Sequence, residues 1–179
     1  MNMSKNNRDK DLPIIGSSEW VDIGKYRHVP AKTDTGAQSS TIWASDICVE
    51  KDGTLKFKLF DKGYYLYTGK VFKRTPQNYK VGIIRSSNGQ EQIRYRVYLP
   101  VTIAGKKISA LFSLADRSKS NFPILIGRRT IVGKFIVNPA IQNVRKISVN
   151  THNPATDSLN QKLAKDPYKF HQEYVINKK

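Results

Sequence analysis

Apolar and basic residues take turns through the middle of this chain, and that two-residue period commits it to β structure. Leu55, Phe57 and Leu59 alternate with Lys56 and Lys58. Successive side chains of a strand point to opposite faces, so such a stretch has one dry face and one wet face. Ile93, Tyr95 and Val97 alternate with Arg94 and Arg96 in the same way, and Leu99, Val101 and Ile103 continue the apolar face. Ala104-Gly105-Lys106 reads as a turn, with Ile108, Ala110, Phe112 and Leu114 on the returning strand. Ser86-Ser87-Asn88-Gly89 holds an Asn-Gly pair, which suits the positive φ of a hairpin tip, and predicts a long hairpin with arms over 79–85 and 90–98. Trp20, Val21, Ile23 and Tyr26 predict a first strand, and Val29 to Thr33 another. Helix is expected in two places only: 128–132, directly after Gly127, and 157–165, where Leu159 and Leu163 stand four apart. Short strands, close spacing and Gly or Asn turns add up to an all-β fold, a closed or nearly closed, mostly antiparallel barrel.

A chain of 179 residues with 39% hydrophobic residues has material for one core and some excess. The text divides into a polar lead over 1–11, a β-rich domain over 12–140, and a tail over 141–179 rich in Asn, Gln, Lys and His, read as an accessory, partly disordered segment. Cys48 is the single cysteine, which excludes an internal disulfide and a cysteine-rich metal site. The lead lacks the apolar centre of a signal peptide, and no apolar run reaches the roughly 18 residues a membrane span needs. The expectation is a cytoplasmic protein without a membrane partner. Lys and Arg number 31 against 14 Asp and Glu, a net charge of +17. An excess of that size calls for an acidic partner, whether nucleic acid, anionic surface or acidic polypeptide.

One tripeptide carries chemistry. Asp34-Thr35-Gly36, followed by Ala37, sits between the strand ending at Thr33 and the hydroxyl run Ser39, Ser40 and Thr41. Alone it is also what an Asx turn looks like, with Asp capping its own backbone. Its context is more specific. Downstream come the hairpin around Ser86–Gly89 and then Phe122-Pro123-Ile124-Leu125-Ile126-Gly127-Arg128, an apolar strand that ends in Gly-Arg before a short helix. Glycine at that place lets two backbones approach closely.

Taken together, Ile15-Gly16 with Glu19-Trp20-Val21, Ala31-Lys32-Thr33-Asp34-Thr35-Gly36-Ala37, Ser39-Ser40, Asp116-Arg117, 122–128 and Phe135-Ile136-Val137-Asn138-Pro139 resemble the bacterial retropepsin-like aspartic peptidases associated with ATP-grasp ligases, often catalogued as ATP-dependent zinc proteases. The resemblance runs over about 70% of the chain. Thr33 departs from it, standing where an aliphatic residue is more usual. The resemblance implies a retropepsin-like closed barrel with one short helix and a flap hairpin. It implies Asp34 as the catalytic carboxylate, Thr35, Gly36 and Ala37 as the active-site loop, Gly127 and Arg128 as support for that loop, and Arg85, Ser86, Ser87, Asn88 and Gly89 as the substrate-binding flap. One such loop per chain supplies one carboxylate where aspartic proteolysis uses two, so it also implies a homodimer with residues 134–139 at the interface.

The residues do not bear out the word zinc. His28, His152 and His171 are isolated, with no His-Glu-x-x-His and no cysteine pair, so no metal and no cofactor is expected. A link to ATP would lie with a partner ligase. Between Lys51 and Lys107 there are 13 Lys or Arg and 3 Asp or Glu. If these line the cleft, the substrate is an acidic peptide, poly-glutamate included; if not, they are the wet faces of strands. A reading of another class is a non-catalytic binding module, its basic faces and its tyrosines (Tyr64, Tyr65, Tyr67, Tyr79, Tyr95, Tyr98) set against RNA, the ribosome or an acidic protein.

Overall fold

The computed structural model describes residues 12–85, 91–144, 154–171 and 173. The chain divides into two compact units, 1–145 and 146–179.

Among its described residues the first unit is strands and loops, with one turn of α-helix and a 3-10 turn at Pro76–Asn78. Its strands are β1 (Ile14–Ile15), β2 (Ser18–Ile23), β3 (Tyr26–Asp34), β4 (Ser40–Val49), β5 (Leu55–Leu59), β6 (Val71–Arg74), β7 (Tyr79–Arg85), β8 (Glu91–Ile103), β9 (Lys106–Ala115), β10 (Ile124–Gly127) and β11 (Ile136–Val137). Helix α1 (Arg128–Ile131) follows β10 directly, as expected. The main sheet runs β10-β3-β2-β8-β9-β4-β5-β6, with β7 on the free part of β8. β10 pairs parallel to β3 and antiparallel to β4, so the sheet closes into a barrel. Inside lie Val21, Ile42, Phe57, Leu99, Phe112, Ile124 and Ile126, all essentially inaccessible. Each buried branched or aromatic side chain contributes about 1.5–3 kcal/mol over its exposed state, which makes this interior the main source of stability.

Several elements differ from the sequence reading, each for a physical reason. Trp20, Val21, Ile23 and Tyr26 do not share one strand: a turn at Gly24-Lys25 ends β2, and Tyr26 opens β3. Strand β4 starts inside the hydroxyl run, because Ser40 and Thr41 are buried and their neighbours Ile42, Trp43 and Ala44 face apolar surroundings on both sides. The face of β8 also changes along its length. Val97, Leu99, Val101 and Ile103 are buried as expected, but Ile93 is 74% exposed, while Arg94 and Arg96 are half-buried. The β7–β8 hairpin projects past the barrel, so its apolar side has no core to meet and its arginine side turns toward protein.

The packed domain also reaches beyond the expected boundary at Ala140. Ser17 N–H donates to the Ile141 carbonyl at 2.8 Å, Trp20 Nε1 donates to Asn143 O at 3.1 Å, and Val144 is buried. The buried Glu19 carboxylate takes hydrogen bonds from Gly16 N and from Asn143 Nδ2, both at 2.6 Å. A polar text thus docks through main-chain and amide bonds that hydrophobicity does not announce. The second unit holds α2 (Pro154–Lys165), which begins ahead of the expected 157–165, and α3 (Pro167–His171), which the sequence reading did not place. Asp166 caps α3 by accepting from Lys169 N at 2.9 Å, with Pro167 at its first position.

Candidate active site

Asp34 is the last residue of β3, and its register partner on β10 is Gly127. The loop after it is held from the side of β10 and α1. Arg128 N donates to Ala37 O at 2.8 Å and Arg129 N to Gln38 O at 3.2 Å, so the first amides of the helix take the loop's carbonyls. Gly127 N donates to Ser40 Oγ at 3.0 Å, and Ser40 Oγ lies 2.7 Å from Thr130 Oγ1. A Cβ on Gly127 would lie 2.5 Å from the Ser39 carbonyl carbon, a distance no side chain tolerates, so glycine is required where strand and loop touch. Within the loop, Asp34 Oδ1 accepts from Ala37 N at 3.1 Å. Asp34 is half-buried, while Thr35 and Gly36 face solvent. Gly127 thus packs directly against the loop, and Arg128 contacts it through its backbone.

Around this loop stand arginines. Arg117, the basic half of the Asp116-Arg117 pair, donates from Nε to Phe122 O at 2.9 Å. Burial lowers its pKa, as does the charge of Arg94, while Asp34 opposes both. Burial likewise lowers the pKa of Arg94. Arg96 is pulled down by burial and then by Arg129. It donates from Nη2 to Ser39 Oγ at 3.3 Å, and its buried Nε has no acceptor. Among the described residues no carboxylate comes within salt-bridge distance of Arg94, Arg96, Arg117 or Arg129. Three half-buried arginines, Arg94, Arg96 and Arg117, thus lie close to other cations beside the loop, with Asp34 acting on Arg117, an arrangement that would suit an anion.

The hairpin tip, Ser86, Ser87, Asn88 and Gly89, lies outside the described residues, as does the Arg85 side chain. The arms pair in register from Tyr79↔Val97 to Arg85↔Glu91. Lys80, Gly82, Arg94 and Arg96 therefore share one face of the ribbon, and Val81, Ile83, Ile93 and Tyr95 the other. Gly82 makes room for Arg96, whose Cδ would lie 2.8 Å from a Cβ there. Sequence reasoning missed Arg129 and gave Arg117 no role. Their signal was weak, since one follows another arginine in a helix and the other acts only through the fold. Among the described residues no three His, Cys, Asp or Glu gather as a metal site, and no helix is long and apolar enough to cross a membrane.

A barrel closed by a strand lodged between β3 and β4, with Asp-Thr-Gly at the end of β3, defines the retropepsin-like class of acid-protease domains. Residues 14–148 match the family described as RimB-like, retropepsin-like aspartic endopeptidase RimB. The chain belongs to the RimB-like family. A probable alpha-L-glutamate ligase of Desulfotalea psychrophila is 26% identical over 137 residues, 72% of this chain and 28% of that protein. Another from Shewanella pealeana is 27% identical over 132 residues, 71% of this chain and 28% of its own length. The chain thus spans little more than a quarter of the curated relatives it matches. A Legionella pneumophila protein of unknown function has a similar solved structure, with TM-score 0.56 and 26% identity over 73% of this chain and 95% of that one.

Proposed function

We propose that the chain is an aspartic endopeptidase that works as a homodimer on acidic, glutamate-rich polypeptide. The observation that carries the reading is Asp34, the lone acid of an exposed Asp-Thr-Gly loop that β10 and α1 hold rigidly. Two-fold pairing would bring a second Asp34 to face the first. Two adjacent carboxylates share one proton and titrate as a pair, as in aspartic proteases generally. The ionised member takes a proton from water as its oxygen attacks the scissile carbonyl carbon. The neutral member hydrogen-bonds the carbonyl oxygen; the C–N bond then breaks and the nitrogen leaves with a proton. Thr35 and Gly36, exposed in one chain, would be covered in the pair.

The pairing surface is supported by β1 and β11, which pair with each other in a two-stranded sheet of their own, with Ile14 and Ile136 exposed. An apolar ribbon with free edges is a liability unless a second ribbon covers it. The substrate class is supported by the arginines around the Asp34 loop and by the relatives' name, probable alpha-L-glutamate ligase, which the proposal carries over to this chain. A functional link to such a ligase, as a separate partner, belongs to the same proposal. The test is cleavage of a glutamate-rich peptide and a neutral one of equal length by the native chain and by Asp34→Asn. The native chain is expected to cut the acidic peptide faster, with the preference shrinking as salt rises, and Asp34→Asn to lose at least about a thousandfold in kcat/KM. Full cleavage by Asp34→Asn would remove Asp34 from the chemistry.

A further inference from the structure

Beside the hairpin lies a pocket of about 420 Å³ with Lys73, Arg74, Lys80 and Arg96 in its wall, together with Tyr79 and Tyr98. No acidic residue lines it. The four cations come from three strands: Lys73 and Arg74 from β6, Lys80 from β7, Arg96 from β8. Lys80 and Arg96 stand directly opposite each other in the hairpin register. Among the described residues none of the four is in a salt bridge. The salt bridges that do form on this side of the barrel engage Lys56 with Glu50 and Lys58 with Asp46, neighbours on β5 that have found acids. The pocket cations have found none. Bringing like charges together in a concave wall raises their mutual repulsion and focuses a positive potential, which salt screens in part and a bound anion relieves further.

Arg96 ties this pocket to the catalytic loop. One end of its guanidinium donates to Ser39 Oγ in the loop that follows Asp34, and the same side chain forms part of the pocket wall. We infer that the pocket is a second, remote anion subsite of the peptidase. It takes a side-chain carboxylate of the bound polypeptide away from the scissile bond, while Arg117, on the segment after β9, handles charge nearer the bond itself. The inference rests on the proposed activity and adds to it a requirement: a good substrate carries acid at two separated places, and the distal one is read by Lys73 and Arg74. Tyr79 and Tyr98 close the wall without supplying charge, and Tyr79 is held by its hydroxyl's hydrogen bond to Gly53 O at 2.9 Å.

Two measurements test it. Fluorescently labelled oligo-glutamate is titrated onto full-length Asp34→Asn, alone and combined with Lys73→Glu/Arg74→Glu. The charge reversals are expected to weaken binding roughly tenfold or more and to flatten its salt dependence. In active protein, Lys73→Ala/Arg74→Ala is expected to lower the ratio of kcat/KM on a doubly acidic peptide over a singly acidic one by about tenfold, through KM. Circular dichroism confirms that each variant is folded. Unchanged oligo-glutamate binding in the charge-reversed protein overturns the subsite while leaving the peptidase reading standing. Binding lost by charge reversal, with no peptide cleaved by the native chain, keeps the subsite and overturns the peptidase reading. Tighter binding of single-stranded RNA than of oligo-glutamate at equal charge, lost with the same substitutions, overturns the polypeptide assignment.

Discussion

Thr33 places a hydroxyl in the buried strand that delivers Asp34, and that hydroxyl comes at a cost. Thr33 stands one residue before Asp34, buried, with an Oγ1 that has no hydrogen-bond partner. A buried hydroxyl left unbonded costs about 1–3 kcal/mol, and valine has nearly the same shape without the demand. Thr33→Val is therefore expected to raise the midpoint of chemical denaturation, by about 1 kcal/mol in stability, and to keep the β3 backbone that delivers Asp34. A lower midpoint would mean that the hydroxyl is satisfied in solution. Glu19 is the opposite case. It is also buried, but its carboxylate is satisfied: Gly16 N bonds it from the turn just before β2, and Asn143 Nδ2 ties the segment after Ala140 to the domain. The sequence displayed Glu19 only as part of a motif. Its structural work depends on Asn143, far away along the chain, and no local pattern reports that.

At the level of elements, legibility followed the surroundings of each strand. β5 and β10 were readable because each has a uniform environment along its length, a clean alternation or an apolar run ended by Gly-Arg, and the hairpin was readable from its Asn-Gly pair. β4 was not, because it is buried on both faces and opens with hydroxyls whose partners, Thr130 and the Gly127 amide, are distant in sequence. The hairpin was found but its faces were inverted at Ile93 and Arg94, since periodicity tells which residues share a face and not which face meets protein. For the candidate site, Asp34, its loop and the supporting Gly127 were legible, whereas the arginine cluster was not, being assembled from β8, α1 and the segment after β9. The contact of β10 with the loop is the most exacting part of this assembly. Gly127→Ala places a methyl 2.5 Å from the Ser39 backbone carbon, and neither strand can yield without moving Asp34. The variant is expected to lose about 1–3 kcal/mol in stability and to lose more cleavage than that alone explains when assayed well below its melting temperature. An unchanged melting curve would show that the two backbones lie further apart than they do here.

In the proposed homodimer acting on acidic peptide, charge would work in two opposed directions. Each copy carries +17, so two copies repel as they approach, and added salt eases pairing by screening that repulsion. The same salt screens the attraction between a basic cleft and an acidic substrate, which slows capture. Which effect governs depends on protein concentration. Well above the dimer dissociation constant every chain is already paired, and only the substrate effect remains, so cleavage of a glutamate-rich peptide is expected to fall steadily with salt. Well below it, pairing limits the rate; specific activity is expected to drop on dilution, then rise with the first additions of salt and fall again as screening of the substrate takes over. The Debye length shortens to about 8 Å near 0.15 M, which sets the range over which the turn should occur. Ile136→Lys, which puts one more cation on the exposed β1–β11 ribbon, is expected to move the maximum to higher salt and higher protein concentration, since it opposes pairing without touching the Asp34 loop. Specific activity that stays constant across dilution, with the same monotonic salt curve at every concentration, would mean that a single chain carries the whole reaction and that one carboxylate suffices.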